Sequence, residues 1–248
     1  MTMTHATRAD WEGLAGRLSS ALHLSQPPTF LAFEAEVPAG VAAFDKPMSE
    51  PARDGRKGRV SASCVFWVEA ALSEAPFSTV ADDHGNCSVG MYTHGFSELD
   101  PDKEDVGALL ESGWVTPEMV PAIPAVSEAP GAIAYGRLDS VPDSVEPDVV
   151  MLRVNGRQLM VLSDSIPGLS IEGKPQCHIV AMAKEHGRPA ASVGCALSRA
   201  RTGMRPEEMT CALPAQRLDE LVGAIEQTAS TDSVVARYAA DDARRFKA

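Results

Sequence analysis

Residues 175–199, PQCHIVAMAKEHGRPAASVGCALSR, decide how the rest of the chain is read. Cys177 stands where a helix should begin. Residues 190–193 read as a short apolar strand, and Cys195 follows on a Ser-Val-Gly turn. A weaker copy lies upstream. Cys64 opens the helical pattern CVFWVEAA at 64–71, FSTV at 77–80 reads as a strand, and NCSVG at 86–90 brings in Cys87.

Working outward, the two copies share an order of parts. Each has an apolar strand (30–33; 149–152) and then a helix opening on cysteine (Cys64; Cys177). A short strand (77–80; 190–193) and a second cysteine beside Ser-Val-Gly (Cys87; Cys195) follow. Each copy closes on a strand running into Arg-Leu-Asp (133–139; 211–219). Such self-similarity points to duplication of an αβ unit. The expected fold is therefore α+β and compact, with two pseudo-repeated αβ halves packed about an approximate twofold axis. Trp11, Leu14, Leu18 and Leu22 add an amphipathic N-terminal helix that ends at Pro27 and Pro28. The expected division is 1–28 N-terminal helix, 29–145 first half, 146–230 second half and 231–248 polar tail, all in one structural domain.

Composition narrows the class of function. The 248 residues can bury a substantial core, and 44% of them are hydrophobic. A net charge of −12 argues against tracking nucleic acid or anionic lipid, either of which needs a basic surface. No run of eighteen apolar residues is present to span a membrane, and residues 1–11 lack the apolar segment of a secretory signal. The expected location is cytoplasmic. In that reducing compartment the five cysteines, an odd number, do not read as a disulfide framework.

The chemistry therefore rests on cysteine. A helix N-terminus offers unpaired N–H groups and partial positive charge, which suit a thiolate. In a pseudo-symmetric fold Cys64, Cys87, Cys177 and Cys195 can meet at the interface of the halves and hold a metal. A [4Fe-4S] iron–sulfur cluster is the expected cofactor, with zinc the alternative. No CxxC occurs, which weakens zinc-ribbon, thioredoxin and compact ferredoxin readings. Cys211 reads as a buried strand residue outside the set. His84 and His94, flanking Cys87, and Arg199, one helical turn after Cys195, are the candidate catalytic residues. The loop at 46–59 carries Lys46, Arg53, Arg56, Lys57 and Arg59 and could offer positive charge to an anionic substrate.

The expected function is an iron–sulfur protein of lyase, sulfur-transfer or redox type acting on a small anionic molecule. Its partner would be a small-molecule substrate or an electron-transfer protein, with no nucleic acid and no membrane. The alternatives are a binding protein with inert buried thiols and an enzyme with a low-pKa cysteine nucleophile.

Several of these motifs carry a family resemblance. Cys64 before an aromatic-containing helix, Asn86-Cys87-Ser88-Val89-Gly90, EPDVV at 146–150, PAASVGCALSR at 189–199 and EEMTCALPAQRLDE at 207–220 resemble the uncharacterised domain of unknown function 169, also labelled an archaeal conserved region. The resemblance runs from about Leu22 to Ile225. It implies a shared pattern of four cysteines and a compact α+β fold, and it implies no activity.

Overall fold

A computed structural model describes residues 8–45, 61–100, 102–173 and 175–245 of the protein. The basic loop expected at 46–59 lies outside the described residues. Among them, eight strands form one mixed sheet: β1 (Thr29–Glu34), β2 (Ala42–Ala43), β3 (Phe77–Thr79), β4 (Ala132–Arg137), β5 (Val149–Val154), β6 (Ser170–Glu172), β7 (Ala190–Ser192) and β8 (Met209–Pro214). Their order is β2-β3-β4-β1-β5-β8-β7-β6. The centre is the antiparallel pair β1–β5, with Leu31 opposite Val149 and Thr29 opposite Met151. Outward from that seam the strands run β4, β3, β2 on one side and β8, β7, β6 on the other. Both outermost pairs, β2–β3 and β6–β7, are parallel, and the remaining pairs are antiparallel.

The strands are apolar on both faces because both faces are covered. Phe30, Ala32, Val150, Leu152, Val154, Cys211 and Leu213 point to one side. There they meet α1 (Arg8–Leu22) through Trp11, Leu14 and Leu18, α5 (Gly156–Ser165) through Leu159 and Leu162, and α8 (Leu218–Arg245) through Leu221, Val222 and Ile225. The alternate residues, Leu31, Ile133, Tyr135, Val149, Met151 and Ala212, point the other way. They pack under α2 (Ser63–Leu72) through Phe66 and Trp67, and under α6 (His178–His186) through Ile179, Val180 and Met182. The result is a three-layer helix–sheet–helix stack. Each fully buried large side chain contributes about 1.5–3 kcal/mol, so neither face can be left open. No helix among the described residues is long and apolar enough to cross a membrane.

Local signals fix the joints between layers. Asn155 accepts a hydrogen bond from the Gln158 N–H at 3.0 Å, and Gln158 Oε1 accepts one from the Asn155 N–H at 2.8 Å. This reciprocal pair caps α5. The Gln158 amide then donates to the carbonyls of Leu22 and His23, tying α5 to the end of α1. Asn155→Ala should lower stability by about 1 kcal/mol, read as an earlier urea midpoint at unchanged slope. An unmoved midpoint would remove the cap from the account.

Two expectations are corrected here. The segment expected as a polar tail at 231–248 continues α8 as far as Arg245. Only its first part is packed, and Val234, Val235 and Tyr238 stand exposed on the remainder. Cys87 and Cys195 were expected on open turns, yet each is the residue that starts a short helix, α3 (Ser88–Thr93) and α7 (Ala196–Thr202). Between α3 and β4 runs α4 (Glu104–Glu111), followed by the proline-rich connector at 117–130, which contains one 3-10 turn at Val120–Ala122.

Candidate functional site

The helical layer above Leu31, Tyr135 and Ala212 carries the four cysteines singled out in the sequence. Cys64 is the second residue of α2, and Cys87, Cys177 and Cys195 sit at the N-caps of α3, α6 and α7. Each is partly buried. All six pairings among the four thiols lie within electrostatic reach of one another.

Short contacts stitch the four helices together at this point. The Cys195 sulfur accepts the Ser198 N–H at 3.2 Å, and the Ser198 hydroxyl in turn reaches Cys64 on α2. The Cys177 thiol lies 3.9 Å from the Val89 carbonyl oxygen of α3, and the Thr93 hydroxyl also reaches it. The backbone of Gln176, just before α6, faces Cys195. Arg201 on α7 meets Cys87 and donates to the Asn86 carbonyl at 2.6 Å. Gly90 lets α3 approach. A side chain there would put its Cβ 3.3 Å from Ser63 Oγ and 3.5 Å from the Cys87 sulfur, tighter than or at the limit of ordinary contact.

Burial dominates the electrostatics of these thiols. It pushes Cys64 up to about 12, with the neighbouring Cys87 adding to the rise and Ser198 opposing it. Cys177 is raised well above the ordinary thiol value, and Cys195 is raised too, burial being the first cause in both. The sequence led to the opposite expectation, a thiol acidified by its helix terminus. The helix ends are where that expectation placed them, but desolvation of the charged form outweighs their partial charge. In the protein as described, Cys64, Cys177 and Cys195 keep their protons at neutral pH.

The histidines serve the same region in different ways. His84 is fully buried, with Nδ1 2.8 Å from Ser63 Oγ and Nε2 2.8 Å from Thr79 Oγ1. Ser63 precedes Cys64, so His84 braces the start of α2. His94 donates from Nδ1 to the Gly90 carbonyl at 2.9 Å, which leaves its Nε2 as a bare acceptor without a partner in the protein. Its ring stacks between Phe33 and Trp67, with centroids 6.0 and 5.9 Å away. Burial lowers His94 to about 4 and holds His84 well below the ordinary range. Both are neutral imidazoles near pH 7.

Arg199 stands differently from the sequence expectation. Its guanidinium donates to the carbonyls of Arg205, Val193 and Glu208 at 2.7, 2.6 and 2.8 Å, so it clamps the two loops that flank α7. The cation that faces the thiols is Arg201, two residues on. No motif marked Arg201, Ser198, Thr93 or Gln176, because each reaches the site through the fold and not through spacing to a cysteine. Cys211 lies in the opposite core, beside Phe30 and Leu213, and takes no part.

Among the described residues, no three His, Cys, Asp or Glu side chains are placed so as to hold a single metal ion. A tetrahedral zinc at about 2.3 Å from each sulfur draws its ligands to about 3.8 Å of one another. A cluster, whose irons each take one thiolate, spaces them more widely.

No curated protein and no solved structure matches the chain. A family profile does, over residues 17–224, and this span contains every strand of the sheet and all four clustered cysteines. The chain belongs to the family described as domain of unknown function 169, an uncharacterised ArCR.

Proposed function

We propose that this protein is a cysteine-ligated iron–sulfur protein whose cluster, of the [4Fe-4S] type, is held by Cys64, Cys87, Cys177 and Cys195. The observation that carries the reading is that four thiols from four helices, separated by up to 131 residues of chain, lie within electrostatic reach of one another over one sheet face. Buried thiols scattered for packing alone would have no reason to gather. Duplication explains why they do. The strand order on either side of the β1–β5 seam favours two pseudo-repeated halves related by an approximate twofold axis, each giving two cysteines.

The surrounding residues suit a negatively charged group. Ser198 N–H, the Ser198 and Thr93 hydroxyls and Arg201 all face sulfur, and such donors stabilise thiolate ligands and tune a cluster's potential. Because Cys64, Cys177 and Cys195 are protonated when free, loading releases protons and is favoured by rising pH. When bound, the cluster would supply electron storage or, at an iron lacking a thiolate, Lewis acidity toward a small anion. The cysteine-nucleophile alternative is disfavoured by a Cys64 thiol held up at about 12.

The full chain purified without oxygen, or reconstituted with ferrous iron and sulfide, should be brown. It should absorb broadly near roughly 400 nm and contain acid-labile sulfide. Colourless, iron-free protein after reconstitution overturns the proposal.

A further inference from the structure

The two short helices that start on cysteine are capped in different ways. In α7 the Cys195 sulfur accepts the Ser198 N–H, so the thiol closes its own helix end. In α3 the Cys87 side chain makes no capping bond. That duty falls to Asp105 on α4. Its Oδ2 accepts the Ser88 N–H at 2.8 Å and its Oδ1 accepts the Ser88 hydroxyl at 2.7 Å. The Ser88 N–H is one of the donors that a helix start leaves unpaired, and a carboxylate is a strong acceptor for it.

Asp105 belongs to a segment with no counterpart of its size in the second copy. Residues 94–131 separate α3 from β4, whereas residues 203–208 suffice between α7 and β8. Within that segment α4 packs chiefly on α3. Val106, Val115, Ile123 and Val126 are buried there, yet none of them joins either core beside the sheet. The segment returns to α3 at its other end, where the Val126 N–H donates to the Thr93 carbonyl at 3.1 Å. Gly95, left-handed at φ 79°, permits that return, because a Cβ there would stand 3.0 Å from the Val126 carbonyl oxygen. A strut built outside both cores therefore grips α3 at each end.

Relieved of capping, the Cys87 sulfur is left to face the other thiols. Cys64, Cys177 and Cys195 each feel Cys87 more than any other thiol, and Arg201 meets it. We propose that Asp105 is a positioning residue for this fourth sulfur. By holding Ser88 it fixes the turn on which Cys87 enters the site, and through it α4 governs the grip on whatever the four thiols hold. That the held group is a cluster rests on the reading above; the placement of Cys87 by Asp105 does not.

Iron-free full chain treated with iodoacetamide, each cysteine followed separately by mass spectrometry, tests the placement. Asp105→Ala should speed alkylation of Cys87 about tenfold, the ratio that loss of one charge-assisted hydrogen bond gives, and leave Cys64, Cys177 and Cys195 within about twofold. Ser88→Ala, which keeps the amide bond and loses the hydroxyl, should move Cys87 the same way by less. Asp105→Asn keeps the shape and an accepting oxygen, so it should restore most of the original rate. After anaerobic reconstitution with ferrous iron and sulfide, Asp105→Ala should yield iron to a chelator about tenfold faster or more. An unchanged Cys87 rate, or an equal rise at all four thiols, overturns the role of Asp105. Iron held as firmly by Asp105→Ala as by the original chain overturns its control of the grip. Protein that takes up no iron overturns the cluster instead, and the alkylation rates still decide Asp105.

Discussion

Serine in place of Cys64, Cys87, Cys177 or Cys195 should each strip most of the iron from anaerobically purified protein, while Cys211→Ala leaves it in full. Residues that merely support metal ligands already change affinity by about 10–100-fold when lost, so loss of a ligand should cost at least as much. Serine preserves the volume of the thiol, and its hydroxyl is a far poorer iron ligand at neutral pH than a thiolate. The packing of α2, α3, α6 and α7 should therefore survive the change that empties the site. Cys211 is the internal control. It is as buried as any thiol in the molecule and is pushed up to about 12 by burial, but it sits under α8 on the far side of the sheet. Its truncation should cost about 1 kcal/mol of stability from lost packing and no iron. Iron and sulfide per chain, measured for all five variants with circular dichroism to confirm folding, gives the answer. Full iron in two or more of the four serine variants would sink the proposed ligand set.

Mild acid should unfold this protein through its buried histidines. An unfolded histidine titrates near 6.5, whereas burial holds His94 near 4 and His84 lower than its ordinary value. As pH falls below 6.5 the unfolded chain takes up protons that the folded chain refuses. The stability these groups confer is thus whole above pH 6.5 and is lost progressively as pH falls toward about 4. For His94 alone a shift of that size is worth roughly 3 kcal/mol. His84, which spends both ring nitrogens on Ser63 and Thr79, adds to the loss in the same direction. Urea midpoints at pH 7 and pH 4.5 should therefore differ widely. In His94→Asn, whose amide can still donate toward the Gly90 carbonyl, the pH dependence should shrink by about 2–3 kcal/mol. Parallel pH dependences in the two proteins would refute this role, as would a His94 titration near 6.5 followed by NMR.

Much of the architecture was legible because strand and helix periods differ. The runs at 30–33 and 149–152 lack polar interruption, and they became the two central strands, buried on both faces. Residues 211–213, read as the start of the second copy's closing strand, became part of β8. The outer strands β2 and β6 were not legible. They are two and three residues long, and they exist because β3 and β7 offer them a parallel edge. The helices α3 and α7 were hidden by Gly90 and by Gly194. The first is a close-approach position, and the second is a left-handed residue (φ 97°) that turns the chain just before Cys195.

For the candidate site, sequence named the four cysteines because repeated order is a one-dimensional signal. It could not assign the thiols their protonation, which depends on how much protein covers them. Nor could it separate Arg199 from Arg201. Both lie in the last turn of α7, and only the loops around that helix decide which one holds carbonyls and which one meets sulfur.

The seam between β1 and β5 has a consequence during synthesis. Those strands join through three residue pairs, and the partners of Cys64 and Cys87 lie on the far side of that join. A chain emerging from the ribosome presents its first two thiols while Cys177 and Cys195 have yet to be made. The four-sulfur site therefore has no nascent form, and β8, which closes the second side of the sheet, is translated after the last of its cysteines. A site that needs all four sulfurs can form only once Cys195 has been made, and until then Cys64 and Cys87 lack their partners.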